Sequence, residues 1–271
     1  MGHRLEFSPA KWARISLSYN AMFKGDSFYP EYLDPSYIMH NLYNQRHLNA
    51  IASVEADFSL YKGLSLHGQF VMDQYQLPSE GDSEANALGF LTQVAYSWHG
   101  QSGFWTLSAE AVYTDPVLYR RDIVDFLVVR SLQNNSWFYL MDYLGYRWGS
   151  DSQVYQGKLD FFIPNQLTVS AAITIHRQGQ ISFDNYHHTD DSSTAISNTG
   201  YPNVWGPSPS GPEIRDSLIL SLSAEWQSPI KRLSEHGELD WIGRRLYTKA
   251  SKKSSNYAAD IQLTLGVSKN F

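Results

Sequence analysis

The residues best suited to binding chemistry lie in one segment of about 40 residues, 177–216. It contains Tyr186-His187-His188, Asp190-Asp191 and Tyr201-Pro202-Asn203-Val204-Trp205, followed by a Pro/Gly/Ser-rich run at 206–212. Segments this long without periodicity are uncommon and often functional. Tyr186, Tyr201 and Trp205 offer aromatic faces, and Asn203 offers an amide between two of them. Together they suit a flat, amphipathic sugar ring, which stacks through its C–H surface and hydrogen-bonds through its hydroxyls. The same aromatics would equally serve to pack the loop onto a rim. His187-His188 and Asp190-Asp191 are metal-type donors. Adjacent side chains in an extended segment point apart, so solvated loop residues are expected, with no metal and no cofactor.

A second set of polar residues lies inside apolar-alternating runs: Arg14, Glu55, Asp57, His67, Asp73, Glu110, Lys158, Asp160 and Glu225. They fall on the polar side of their runs, as do His176, Ser108, Ser170 and Ser221. A Ser/His set can hydrolyse, but no nucleophile-elbow or other hydrolase signature surrounds these residues. The expectation is a polar network and no enzymatic activity. Arg120-Arg121 sits in the apolar stretch 117–130. It could meet an acidic polysaccharide or pair with carboxylates of the network.

The elements that carry these residues are read from a period of two. Tyr257, Ala259, Ile261, Leu263, Leu265 and Val267 alternate with Ala258, Asp260, Gln262, Thr264, Gly266 and Ser268. The run spans 256–271 and ends on the aromatic Phe271. Soluble strands average about 5–6 residues, whereas a strand crossing a bilayer needs about 9–11. Similar runs cover 12–22, 50–60, 64–75, 88–98, 104–114, 154–163, 167–176 and 217–227, with a shorter one at 4–8 and a weaker one at 239–248. In the last, Arg244 and Arg245 blur the period. A basic residue facing lipid at mid-strand costs roughly 2–4 kcal/mol. The apolar sets are therefore expected to face lipid and the charged sets a hydrated lumen. Tyr19, Tyr61, Trp98, Trp105, Tyr113 and Trp226 fall at strand ends, where an aromatic girdle belongs.

Composition agrees. Aromatic residues make up 14%, while charged residues make up only 18% against about 25% in soluble domains. With no Cys, a disulfide scaffold, a thiolate metal site and a Cys nucleophile are excluded. A net charge of −6 leaves no electrostatic footprint for nucleic acid. Mean hydropathy is −0.37 and no apolar run approaches transmembrane-helix length. The class that fits is an all-β, transmembrane, antiparallel β-barrel of the outer-membrane type.

Connections alternate short (9–11, 61–63, 99–102, 164–166) and long (24–49, 76–87, 115–153, 177–216). Short turns belong in the periplasm and long loops outside the cell. With 256–271 running inward, alternation requires zero or two strands inside 115–153; Asp122–Arg130 and Ser136–Leu144 could be that pair, turning at Gln133-Asn134-Asn135. The total is 11 or 13, and 4–8 then runs inward. Single-chain bacterial barrels have an even count and start in the periplasm. Residues 1–271 are thus expected to be the C-terminal 11–13 strands of a larger barrel, a single barrel domain lacking its N-terminal part. No signal peptide is visible at Met1-Gly2-His3-Arg4. Asp34-Pro35-Ser36 reads as a helix start, so 24–49 is expected to fold into the barrel mouth and plug it with its aromatics or line a glycan site.

Several stretches stand out as a set: His3-Arg4-Leu5-Glu6-Phe7-Ser8-Pro9 with Lys11-Trp12; Asp34-Pro35 with His40-Asn41; and Leu64 through Gln76 with its Asp73-Gln74-Tyr75 close. Asn86-Ala87-Leu88-Gly89-Phe90 and Leu144-Gly145 followed by Gly149-Ser150-Asp151-Ser152 complete it. Together they resemble the capsule assembly Wzi family of outer-membrane proteins, with Ser150 where the family often has Pro. The resemblance implies a non-enzymatic protein of the outer membrane of a Gram-negative bacterium. Its partners would be capsular or extracellular polysaccharide, held by lectin-like binding, and outer-membrane lipid. Phe271 would present the signal read by the barrel-insertion machinery. The rival expectation is a porin or solute channel, which needs an open lumen where a Wzi-like barrel is plugged by 24–49 and 115–153.

Overall fold

The structure, a computed structural model, describes residues 2–23, 48–75, 86–121, 124–131, 139–180, 207–228 and 233–269. These form β-strands only. They are β1 (Gly2–Ala10), β2 (Ala13–Phe23), β3 (Leu48–Tyr61), β4 (Leu64–Gln74), β5 (Ala87–His99), β6 (Phe104–Thr114), β7 (Arg120–Arg121) and β8 (Val124–Asp125), then β9 (Leu127–Ser131), β10 (Tyr139–Tyr143), β11 (Ser152–Ile163), β12 (Leu167–Gln178), β13 (Glu213–Gln227), β14 (Leu233–Thr248), β15 (Lys253–Ser254) and β16 (Ala258–Lys269).

A single antiparallel sheet of 12 strands forms the wall. Its order is β1-β2-β3-β4-β5-β6-β11-β12-β13-β14-β15, with β16 also on β14. Apart from the two-residue β15, its strands run from 9 to 16 residues, the length that crosses a bilayer. Among the described residues nothing joins β1 to β16, so the sheet is open. Every neighbour in it follows from a hairpin or from the next long strand. Tight turns enforce this pattern: Gly63 has φ +78°, and a Cβ there would lie 2.0 Å from the Ser97 carbonyl oxygen. Asn165 takes the left-handed conformation, φ +57°, in the turn between β11 and β12.

Three sequence expectations need correcting. β1 runs on through Pro9 to Ala10, with a register shift after Phe7, and the turn falls at Lys11-Trp12. Pro cannot donate to a ladder, and an edge strand tolerates the irregularity. The pair expected within 115–153 exists but is shorter, β9 on β10 with Tyr139 opposite Ser131. It forms its own sheet, while β6 pairs directly with β11 across Thr114 and Ser152, so no strand joins the wall there. β14 is the longest strand rather than a weak one. Its two arginines face opposite ways: Arg244 reaches Asp260 at 2.7 Å, and Arg245 lies 3.4 Å from Asp216. Period counting missed this because each guanidinium is neutralised by a neighbouring strand.

The two faces of the wall differ. One exposes large apolar side chains in continuous rows, among them Leu107, Ile173, Leu220, Leu222, Leu239, Ile261, Leu263 and Leu265, the last 75% exposed. Soluble monomers rarely leave such a patch uncovered. Toward the short turns it ends in rings: Trp98 and Trp105 stack at 6.3 Å, and Trp105 meets Phe161 at 4.5 Å. The other face is polar, except near the long connections, where Ile51 and Val71 are buried. There the connection after β6 folds back over the wall. Leu118, Tyr119, Phe126 and Tyr143 form one core with Ile51 and Val71, and Leu118 is fully buried. This roof, built from the described residues 115–121, 124–131 and 139–151, holds the main buried core among the described residues.

Candidate functional site

The polar face of β1–β4 carries one connected network. Arg4 contacts Glu55 at 2.8 Å and Arg14 contacts Asp57 at 2.9 Å. His67 Nδ1 lies 2.8 Å from the other oxygen of Asp57, and Gln69 donates to Glu55 at 3.2 Å. Glu6 sits between the two arginines, 3.6 and 3.8 Å away. Period two places all of these side chains on one face, and antiparallel register brings Arg14 opposite Asp57. Arg14, Glu55, Asp57 and His67 thus come together as expected. Arg4, Glu6 and Gln69 complete the network; Arg4 and Glu6 were missed because β1 is short and its alternation is hard to see, and Gln69, on the polar side of β4, carries no charge to single it out. The arginine side chains are about half exposed, so solvent screens these pairs and each adds little to stability.

The remaining polar-face residues are dispersed. Lys158 and Asp160 pair at 2.8 Å, and Ser170 donates to Asp160. Glu110 accepts from the Tyr146 hydroxyl at 3.5 Å. Asp73 is buried near Tyr119, outside the β1–β4 network. Glu225 is exposed near the short-turn end, opposite Thr168 and His236. The expected single network is therefore several clusters, because the wall is wider than one side chain can bridge.

The roof is fastened by a polar clamp. Asp151, fully buried, accepts hydrogen bonds from the Ser208 hydroxyl (2.8 Å) and from the Ser210 amide (2.7 Å) and hydroxyl. Its φ of +55° suits Asp, which tolerates the left-handed region. Ser152 Oγ lies 3.1 Å from His176 Nε2, and both residues are buried, so this Ser/His pair is closed to a substrate. Asp115 accepts from the Tyr113 hydroxyl (2.8 Å) and the Leu88 amide (2.9 Å). Burial nevertheless pushes its carboxyl above the usual carboxylate range, with the nearby Asp151 charge adding to the shift. Burial likewise raises the Tyr119 and Tyr146 phenols.

Beyond the clamp, the roof ends in Arg147 and Trp148. The Arg147 guanidinium lies 5.2 Å from the Trp148 ring centre, and the buried His176 ring lies 4.4 Å from the same ring. Beneath them the polar face of β11–β14 and β16 encloses a cavity of about 420 Å³, lined by Gln156, Lys158, Asp240 and Gln262 among others. Sequence reasoning missed Arg147, Trp148 and Asp240 as site residues. The only signal was the Leu144-Gly145 to Ser152 motif that brackets the first two.

Tyr186, Tyr201, Asn203, Trp205 and Phe271 lie outside the described residues, as does the expected helix within 24–49. Arg120 and Arg121 form β7, paired with β8 in the roof, and β8 lies against β2 and β3.

No family model and no curated protein matches the chain. A solved structure does: Wzi, an outer-membrane protein involved in group 1 capsule assembly in Escherichia coli, described as a carbohydrate-binding β-barrel. The match covers all of this chain and 51% of the Wzi chain, at 15% identity and a TM-score of 0.55. The chain thus spans about half the length of the protein it matches. The likeness is one of fold: this chain is an all-β, antiparallel, partial barrel structurally related to Wzi-like barrels.

Proposed function

We propose that residues 1–271 form one domain of a barrel in the outer membrane of a Gram-negative bacterium. Its apolar face meets lipid, and its long connections face the cell exterior. There it attaches or helps assemble capsular or extracellular polysaccharide by lectin-like binding, without catalysis. The roof is the observation that carries this reading. A core of Leu118, Tyr119, Phe126 and Tyr143 on Ile51 and Val71 covers the polar face at its long-loop end. A covered mouth suits a binding surface better than a solute conduit. The carbohydrate-binding Wzi barrel supports the ligand class. Tyr186, Tyr201, Asn203 and Trp205 are the proposed glycan contacts of loop 177–216, with Arg120 and Arg121 as further proposed contacts to acidic sugars.

The test is deletion of the gene in its native host, with polysaccharide measured on cells and in the medium. Shedding into the medium at unchanged total yield is the expected result. Normal retention with slowed uptake of a small solute would instead favour a channel. Trp205→Ala and Tyr201→Ala should lower polysaccharide binding while leaving heat-modifiable gel mobility unchanged; unaltered binding would remove both from the site.

A further inference from the structure

From Trp241 to Ala259 the chain carries five cations, Arg244, Arg245, Lys249, Lys252 and Lys253, and no carboxylate, although its net charge is −6. They gather at the long-loop end of the last hairpin, where β14 turns back into β15: Thr248 pairs with Lys253 and Tyr247 with Ser254. Arg244 is balanced by Asp260 at 2.7 Å. Lys249 Nζ donates to the Pro209 carbonyl at 2.7 Å, and Lys252 and Lys253 are exposed. Beside the hairpin, Asp216 lies between Arg177 (3.1 Å) and Arg245 (3.4 Å). The Arg245 guanidinium lies 4.8 Å from the Tyr257 ring centre. Glu213, opposite Thr248, and the exposed Arg215 complete the charges at this end of β13. With the Arg244–Asp260 pair set aside, six cations on β12–β15 and the hairpin turn stand against two carboxylates.

Height along the wall decides what this surface meets. Register places Arg177, Asp216 and Arg245 in one row, immediately outside the row of Ile175, Leu218 and Gly243, on the same apolar face. On β13 that face runs from Trp226 through Leu222, Leu220 and Leu218 to Asp216, ten positions in all. Ten residues span about 33 Å along a strand, or about 25 Å along the membrane normal at a tilt of about 40°. That is the height of the apolar band of an outer-membrane barrel. The arginine row therefore falls where hydrocarbon gives way to headgroups, at the end opposite the Trp98, Trp105 and Phe161 rings.

We propose that this row and the adjoining lysine turn, 249–254, form a docking surface for the anionic phosphates of an outer-leaflet lipid headgroup. The inference rests on the outer-membrane reading and goes beyond it. A guanidinium has five N–H donors in a planar fork that matches phosphate oxygens, more than Asp216 takes up, and lysines add mobile point charges. Tyr257 supplies the amphipathic ring that suits this depth. An acidic polymer held over the barrel mouth would not reach a row flanked by Ile175 and Leu218 on the lipid side, so the phosphate is the lipid's own.

The test is native mass spectrometry of the intact protein in detergent, mixed with lipid A or with the same lipid stripped of its phosphates. Lipid A is expected to stay bound and the stripped lipid to be lost. Lys252→Gln with Lys253→Gln should weaken lipid A binding about tenfold or more, at about fivefold for each cation near a charged surface. Arg245→Gln should weaken it about fivefold, and Lys11→Gln, in the turn at the other end of the wall, should leave it unchanged. Heat-modifiable mobility on a gel shows whether Arg245→Gln folds; the two exposed lysines keep the test decisive if it does not. Equal binding of both lipids, no loss in the lysine variant, or an equal loss in Lys11→Gln would each overturn the proposal. So would a lysine variant that loses a soluble glucuronate polymer yet keeps lipid A, which would make the turn a polysaccharide contact. Assembly into phosphatidylcholine vesicles separates the two readings. A native protein that assembles there but shows no phosphate preference removes only the docking surface. One that fails to assemble removes the membrane reading and the docking surface with it.

Discussion

Asp151 and Ser210 are 59 positions apart, yet the Asp151 carboxylate accepts hydrogen bonds from both the amide and the hydroxyl of Ser210. The contact locks the end of the roof to the segment that leads into β13. Asp151 also sits where Gly179 approaches so closely that a Cβ there would be 2.1 Å from Oδ2. The connection into β11 and both ends of the one between β12 and β13 therefore converge on one carboxylate.

Asp151→Ala should release the segment 207–212. It leaves buried donors unpaired, at about 1–3 kcal/mol for each group, and it places Ala at a left-handed φ. Proteolytic nicking within 207–212 should rise, and the heat-modifiable transition on a gel should fall. Asp151→Asn, which keeps an acceptor and tolerates the backbone, should fall between Ala and the native protein. Equal behaviour of Ala and native would mean that the clamp contributes nothing.

The roof should depend on Leu118. This side chain is fully buried, and Leu→Ala changes in such sites destabilise by about 2–5 kcal/mol. In planar bilayers the native protein is expected to show no steady ohmic steps at low voltage, and Leu118→Asp to show them. Steps in the native protein would refute the covered mouth.

Asp115 should make stability fall as pH rises. Its folded-state value is raised above the ordinary 3.8, by burial first and then by the Asp151 charge, so the native state holds this proton more tightly than the unfolded chain. Stability from this group is present below 3.8 and declines from there through the raised value. Asp115→Asn should flatten that part of the pH profile of the heat-modifiable transition; an unchanged slope would assign it to other groups.

The two faces should respond oppositely to charge. Leu220→Arg places a cation on the apolar face, where midplane burial costs roughly 2–4 kcal/mol. Gln93→Arg places it opposite Glu110 on the polar face. Assembly into lipid vesicles should drop for the first and persist for the second. Equal assembly of both would argue against lipid contact at Leu220.

The sequence by itself determined the wall. Side chains alternate in any strand, so the rows Leu218-Leu220-Leu222 and Ile261-Leu263-Leu265 were readable as one face, and the residues opposite them as the other. Nine of the wall's eleven long strands followed from that period, whereas β1 was read too short and β14 too weak. Arg14, Glu55 and Asp57 could be placed on the polar face for the same reason. Their partners could not, because register between strands is decided by pairing over distances that no local pattern encodes. Only the tertiary structure decided that β9 and β10 leave the wall, since an isolated hairpin has the same alternation wherever it packs. It also joined Asp151 to Ser210 and brought Trp148 to the same cavity as Asp240, 92 positions further along the chain. These contacts unite loops with no shared period, and the burial that makes their polar atoms consequential exists only once the roof has closed over the sheet.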